Sequence, residues 1–255
     1  METAKTRVFS DMFVMLGRSL KHIFRSLDTI ITVALMPIAM MLLFVYVFGG
    51  TIQSGTGRYI DYLLPGILLI AIANGVGYTA YRLFLDVQKG IFERFRSMPI
   101  ARSAGLWGHV LSSLVSNAIS VAAIILVALL MGFRSSAGVL SWLTVAGILT
   151  LFTLAMTMIA AIAGLSAKSM DGAIAFSYPL IFLPFISSAF VPTASMPKVV
   201  RAFAQNQPVT SIVNSIRALL SGEPAGNDIW IALAWCMGIL ILAYVFAVRA
   251  YRKHA

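Results

Sequence analysis

Few side chains in this sequence could do bond chemistry, and their spacing argues against most of it. The three histidines, His22, His109 and His254, stand at no metal-ligand spacing from one another, and no carboxylate pairing is expected of them. Structural or interfacial roles follow. The segment GLSAKS, Gly164 to Ser169, has the outline of a phosphate loop, but Ala167 precedes Lys168 and Ile162 stands where the first glycine belongs. No glycine cradle for a phosphate is expected there. DGAIAF, from Asp171, opens like a lipid-headgroup phosphotransferase motif, yet Phe176 replaces its arginine and the downstream aspartate pair is missing. The one cysteine, Cys236, lies in an apolar run and provides neither an intrachain disulfide nor a paired thiol site. Catalytic and metal-binding residues are therefore expected to be none, with no cofactor bound by this chain.

The dense chemistry is electrostatic. DVQKGIFERFRSMPIAR, Asp86 to Arg102, puts Lys89, Glu93, Arg94, Arg96 and Arg102 between two apolar runs of hydrocarbon length, and none of these charges belongs in lipid. Val87, Ile91, Phe95 and Met98 recur at helical spacing, with Lys89, Glu93 and Arg96 on another face. That pattern predicts a short amphipathic helix outside the bilayer, weakened a little by Gly90 and stopped by Pro99. It either lies solvated on the membrane surface or docks into a partner protein.

The elements that position this stretch are apolar. Of 255 residues, 60% are hydrophobic and 11% charged, with a mean hydropathy of +0.91, far from the roughly 25% charged residues of soluble domains. The composition is that of an integral membrane protein. The net charge of +10 sits in loops beside apolar runs rather than on one face, which suits lipid headgroups and not nucleic acid. Residues 1–28 read as an amphipathic interface helix, with Phe9, Phe13 and Leu16 at helical spacing and Arg18 and Lys21 on other faces. A signal peptide is disfavoured, because the next apolar run is too long and no small-residue cleavage site follows.

Six spans are predicted, at about 29–48, 59–84, 104–131, 139–165, 173–191 and 229–248, so the expected fold is all-α, with residues 29–255 forming a six-helix transmembrane domain. Pro37 falls inside the first span; Pro179 and Pro184 should kink or break the fifth. Between the fifth and sixth spans lie two amphipathic pieces too short to cross, Met196 to Gln205 and Pro208 to Leu220, the second striped by Val209, Ile212, Val213, Ile216 and Leu219. Trp230, Trp235, Tyr244 and Tyr251 suit interfacial belts. One side of this topology holds fourteen Lys and Arg, against five (Arg58, Arg134, Lys198, Arg201 and Arg217) on the other. The richer side is cytoplasmic by the positive-inside rule. Both termini and the charged stretch then lie in the cytoplasm, and residues 192–228 outside.

GIFERFRSMPIARS between the second and third spans and NQPVTSIVNSIRALLSG before the last, with the N-terminal amphipathic helix and six spans, resemble the ABC-2 type family of ABC transporter permeases, most nearly its daunorubicin-resistance drug-efflux group. The resemblance covers essentially the whole chain. It implies a half-transporter in a bacterial cytoplasmic (inner) membrane that pairs with a second permease subunit, as a homodimer, and binds two copies of a separate ABC ATPase. ATP and Mg would be held by that partner. Asp86, Lys89, Ile91, Glu93, Arg94, Phe95, Arg96 and Met98 would form the coupling helix against the ATPase, beside an interface helix carrying Phe9, Phe13, Leu16, Arg18 and Lys21. The pieces after the fifth span would form an outward re-entrant exit gate with Pro184, Pro197, Pro208, Ile212, Ile216 and Arg217. The implied cargo is a hydrophobic or amphiphilic drug, lipid or glycolipid-like compound. The rivals are a membrane-embedded lipid-modifying enzyme and an assembly scaffold.

Overall fold

The structure is a computed structural model and describes residues 27–49, 58–91 and 104–254. Most of the described residues are helical, with no strand among them. Helix α1 (Leu27–Leu43) runs through Pro37 and ends in a π-helical turn, Phe44–Phe48. Three long helices follow: α2 (Tyr59–Gln88), α3 (Ala104–Leu130) and α4 (Val139–Ser166). Next come the short α5 (Met170–Ala175) and α6 (Ser177–Phe182), then a 3-10 turn, Leu183–Ile186. A second 3-10 turn at Thr193–Ser195 leads to α7 (Lys198–Asn206) and α8 (Pro208–Leu220), and α9 (Asp228–His254) completes the order.

Four of these, α2, α3, α4 and α9, are long and apolar enough to cross a membrane, and Val33–Phe48 and Met170–Ile186 are shorter apolar segments. Helix α2 is the axis. Its apolar window is 83% buried, against 22% for α9, because α1, α3, α4, α5, α6 and α8 all pack on it. Small residues let these neighbours close in, as they must where helices gain little from the hydrophobic effect in lipid. Gly164 of α4 lies against the Ala80 carbonyl, Gly77 against Ser177, and Gly66 against Ala189. These contacts show the chain from Ser177 to Ala189, which holds α6 and the 3-10 turn, running antiparallel along α2 over the twelve residues from Gly66 to Gly77.

Two apolar clusters fill the bundle. The larger surrounds the first two-thirds of α2 and takes in Ile212, Val213 and Ile216 of α8. The smaller sits at the other end of α2, where Leu83, Leu106, Val110, Leu165, Ala247 and Tyr251 meet. Tyr251 is thus a core residue and not part of an aromatic belt, whereas Trp230 stands exposed.

The sequence reading places several boundaries elsewhere. Helix α2 continues past residue 84, so Asp86, Val87 and Gln88 are its last residues rather than the start of a separate helix. It ends because the Lys89 amide donates to the Leu85 carbonyl and the Gly90 amide to that of Val87, with Gly90 at φ +63. That left-handed backbone suits glycine and closes a helix C-terminus. The fifth apolar run breaks as its prolines require, into α5, α6 and a 3-10 turn.

Candidate functional site

The predicted gate residues gather at the end of the bundle where α2 begins. Each proline bounds an element: Pro184 opens the 3-10 turn, Pro197 precedes α7, and Pro208 takes the first turn of α8, where a missing N–H costs nothing. Gln207, between α7 and α8, donates from Nε2 to the Ile186 carbonyl at 2.7 Å. Arg201 holds the 3-10 turn before α7 by donating to the carbonyls of Thr193, Ala194 and Met196. At the far end of α8, Ser135 and Ser136 donate to the Leu220 and Ser221 carbonyls at 2.7 and 3.0 Å.

Arg217 is the bolt of this hairpin. Its Nε and Nη2 donate to the Tyr62 carbonyl of α2 at 3.2 and 3.1 Å, Nη2 also to the Ser188 carbonyl at 2.7 Å, and Nη1 to Asn214 Oδ1 at 3.1 Å. Ser188 Oγ donates to the same Asn214 oxygen at 2.6 Å. The guanidinium lies 3.7 Å over the Tyr62 ring, a cation–π contact that only a flat cation fits so closely. Burial lowers its pKa from the ordinary arginine value while Tyr62 works the other way, and an arginine so placed stays charged. The fork has a hydrogen-bond partner on three of its nitrogens, so its charge is spent on seating α8.

Ile212 and Ile216 point inward. Both are fully buried in the chain's own core, and α8 is enclosed on almost every side, with Leu220 rather than Leu219 closing its stripe. A helix seated on α2, α4 and α9 in this way is not one resting on lipid. Beyond it opens a cavity of about 700 Å³ lined by Asp61, Arg134, Asn214, Arg217, Glu223 and Asp228 among others. Asp61 sits in the first turn of α2, the end that favours a negative charge, and its Oδ2 lies 3.8 Å from Arg58 Nε.

Midway along α2 a polar chain crosses three helices. Thr79 Oγ1 donates to Ser113 Oγ at 3.0 Å, Ser113 Oγ lies 3.0 Å from Thr157 Oγ1, and Asn117 Nδ2 donates to the Ser113 carbonyl at 2.9 Å. Asn117 Oδ1 is turned to Gly75, whose missing Cβ would lie 2.3 Å from it, and has no hydrogen-bond partner in the structure.

At the other end of α2 the predicted coupling set is only partly in view. Asp86 and Lys89 end α2, and Ile91 follows Gly90. Glu93, Arg94, Phe95, Arg96 and Met98 lie outside the described residues, as do Phe9, Phe13, Leu16, Arg18 and Lys21. One expectation is overturned here: a histidine does pair with a carboxylate. His109 Nε2 of α3 lies 3.0 Å from Asp86 Oδ2. Spacing could not show it, because the two meet only when α2 and α3 pack side by side. Arg217's partners were equally hidden, being backbone carbonyls 155 and 29 residues away.

The long apolar helices and the polar groups folded inward between them define a multi-pass membrane protein. Residues 10–220 match the family described as ABC-2 type transporter, and the chain belongs to that family. It is also 29% identical over 228 residues to the daunorubicin resistance ABC transporter permease protein DrrB1 of Streptomyces coeruleorubidus, an alignment that covers 88% of this chain and 80% of that protein. The chain is therefore an ABC transporter permease, the membrane subunit of its assembly rather than a catalytic one.

Proposed function

We propose that this permease exports a hydrophobic or amphiphilic compound (a drug, a lipid or a glycolipid-like molecule) from the cytoplasm or inner leaflet, driven by ATP and Mg on a separate ATPase present in two copies. The observation that carries the reading is the course of α2. This buried rod begins at the Tyr62 carbonyl that holds Arg217 and ends at Asp86 and Lys89, where the charged stretch starts. Closure of the ATPase pair would move that stretch, and α2 would carry the motion to the α7–α8 hairpin as one of two discrete packings of the bundle. Gln207, Arg201 and Arg217 make the hairpin rigid enough to move as a body. The nature of the relative, a daunorubicin resistance permease, supports a drug-like cargo.

In this reading the chain crosses the membrane six times, with the shorter apolar segments as the first and fifth spans of a single domain, residues 29–255, in a bacterial inner membrane. The alternation of Lys and Arg supports cytoplasmic termini. A second copy of the permease completes the pathway, the interface helix of residues 1–28 lies against membrane and ATPase, and Asp86 to Met98 dock in the ATPase. The exit is formed by the hairpin as a whole, and the exposed Val199 and Phe203 of α7, not Ile212, are its accessible surface.

The test is reconstitution of the permease with its ATPase in proteoliposomes, with daunorubicin as the transported probe. Phe95→Ala removes an aromatic anchor of a kind whose loss costs about 2 kcal/mol or more at protein interfaces, and Glu93→Lys reverses a charge beside it. Both variants should insert normally yet lose most ATP-driven daunorubicin uptake. Undiminished uptake in both would end the coupling assignment.

A further inference from the structure

We propose that His109 is a positioning residue for energy coupling: with Asp86 it clamps α2 to α3 at the point where the charged stretch leaves and rejoins the bundle. The inference rests on the coupling reading above. Only the 22 residues 87–108 separate the two partners along the chain, and these include the whole predicted ATPase-contacting set except Asp86. His109 Nε2 lies 3.0 Å from Asp86 Oδ2, with the two side chains 16% and 30% exposed. The pair therefore sits at the rim of the bundle, neither in open water nor in its core.

Directly beneath it is the smaller apolar cluster. Leu83, three residues before Asp86, and Leu106 and Val110, either side of His109 on its face of α3, are buried there with Met158 and Leu165 of α4 and Ala247 and Tyr251 of α9. These contacts are apolar, in a region where lipid is nearly as good a partner as protein, so they resist sliding weakly. A hydrogen bond between an imidazole and a carboxylate is directional and stronger than a neutral one. It fixes the register of α2 against α3 in a way that the greasy contacts below it do not. Displacement of the stretch between them then moves both helices together instead of splaying them apart, and the push reaches Arg217's hairpin undiminished.

The experiment uses the full-length permease reconstituted with its ATPase, and reads ATP turnover, daunorubicin uptake and the thermal unfolding midpoint. His109→Ala and His109→Leu, at the partner that lies outside the ATPase-contacting set, should each assemble, keep the wild-type midpoint and hydrolyse ATP, but move roughly tenfold less daunorubicin per ATP, equivalent to about 1.4 kcal/mol of lost coupling. The exchanged variant Asp86→His with His109→Asp restores the pair and should recover about half or more of the wild-type ratio, since charge-assisted bonds keep their worth in either direction. A pair that merely held the fold would lower the midpoint and leave the transport-to-ATP ratio alone, and that outcome overturns the proposal. So does an exchanged variant that recovers nothing, including where a single variant fails to fold. Wild-type ratios in both single variants while Phe95→Ala uncouples would remove the clamp and leave the coupling reading standing; if Phe95→Ala is also without effect, both fall.

Discussion

Asn117 is fully surrounded by protein and spends one end of its amide on the Ser113 carbonyl, leaving Oδ1 against the Cα of Gly75. At position 75, even a methyl group meets that oxygen at 2.3 Å. The amide cannot swing away freely, because its nitrogen is held. Gly75→Ala should therefore cost about 1–3 kcal/mol, as overpacking does in tight cores. Asn117→Ala removes the obstacle, so the double variant should be more stable than the two losses added, with a coupling of about 0.5–3 kcal/mol. The protein has its own reporter for this. Cys236 is the only cysteine and 1% exposed, so a thiol-reactive fluorophore labels it on unfolding and gives the midpoint of each variant. Equal midpoints for wild type and Gly75→Ala would show that α2 and α3 are not in this contact.

Among the elements, the α7–α8 hairpin is set apart by how it is held. Its apolar stripe packs on α2, α4 and α9, and Arg217 locks it to backbone carbonyls of two other segments. Hydrogen bonds to a charged group are worth about 1.5–3 kcal/mol each, and buried carbonyls left without donors add to the cost. Arg217→Met, which keeps the stem and removes the fork, should lower stability by about 3 kcal/mol or more. Arg217→Lys should cost less, but it cannot reach Tyr62, Ser188 and Asn214 together. Cys236 labelling midpoints in detergent rank the three proteins. A wild-type midpoint for Arg217→Met would mean that α8 is seated by its isoleucines alone.

At the scale of the whole molecule, α2 joins the charged stretch to the hairpin, and the two ends should lie on opposite sides of the membrane. In a Cys236→Ser background, Glu223→Cys should react with an impermeant maleimide in intact cells, and Lys89→Cys only after the membrane is opened. Labelling of position 89 in unbroken cells would invert the topology. The charge asymmetry behind this expectation comes from loops, and loop charges are set by residue type alone.

What the amino-acid order determines by itself is whatever depends on local hydropathy and backbone chemistry. It places the apolar runs, the break at Pro179 and Pro184, the short helix Pro208–Leu220 to the residue, and the charged stretch between the second and third runs. It also carries the family, through the runs at residues 94–102 and 207–222. The end of α2 is not marked in the sequence, because Asp86 and Gln88 look like loop residues until packing against α3 makes them the last turn of a long helix. The tertiary structure alone decided which polar groups meet. Arg217 takes carbonyls, which every residue carries and no pattern marks; His109 finds Asp86 across a helix contact; and Ile212 and Ile216, read as facing an exit, turn inward because α2, α4 and α9 offer them an apolar seat. Periodicity tells which side of a helix is apolar. Whether lipid, a pathway or another helix covers that side depends on the helices brought alongside it.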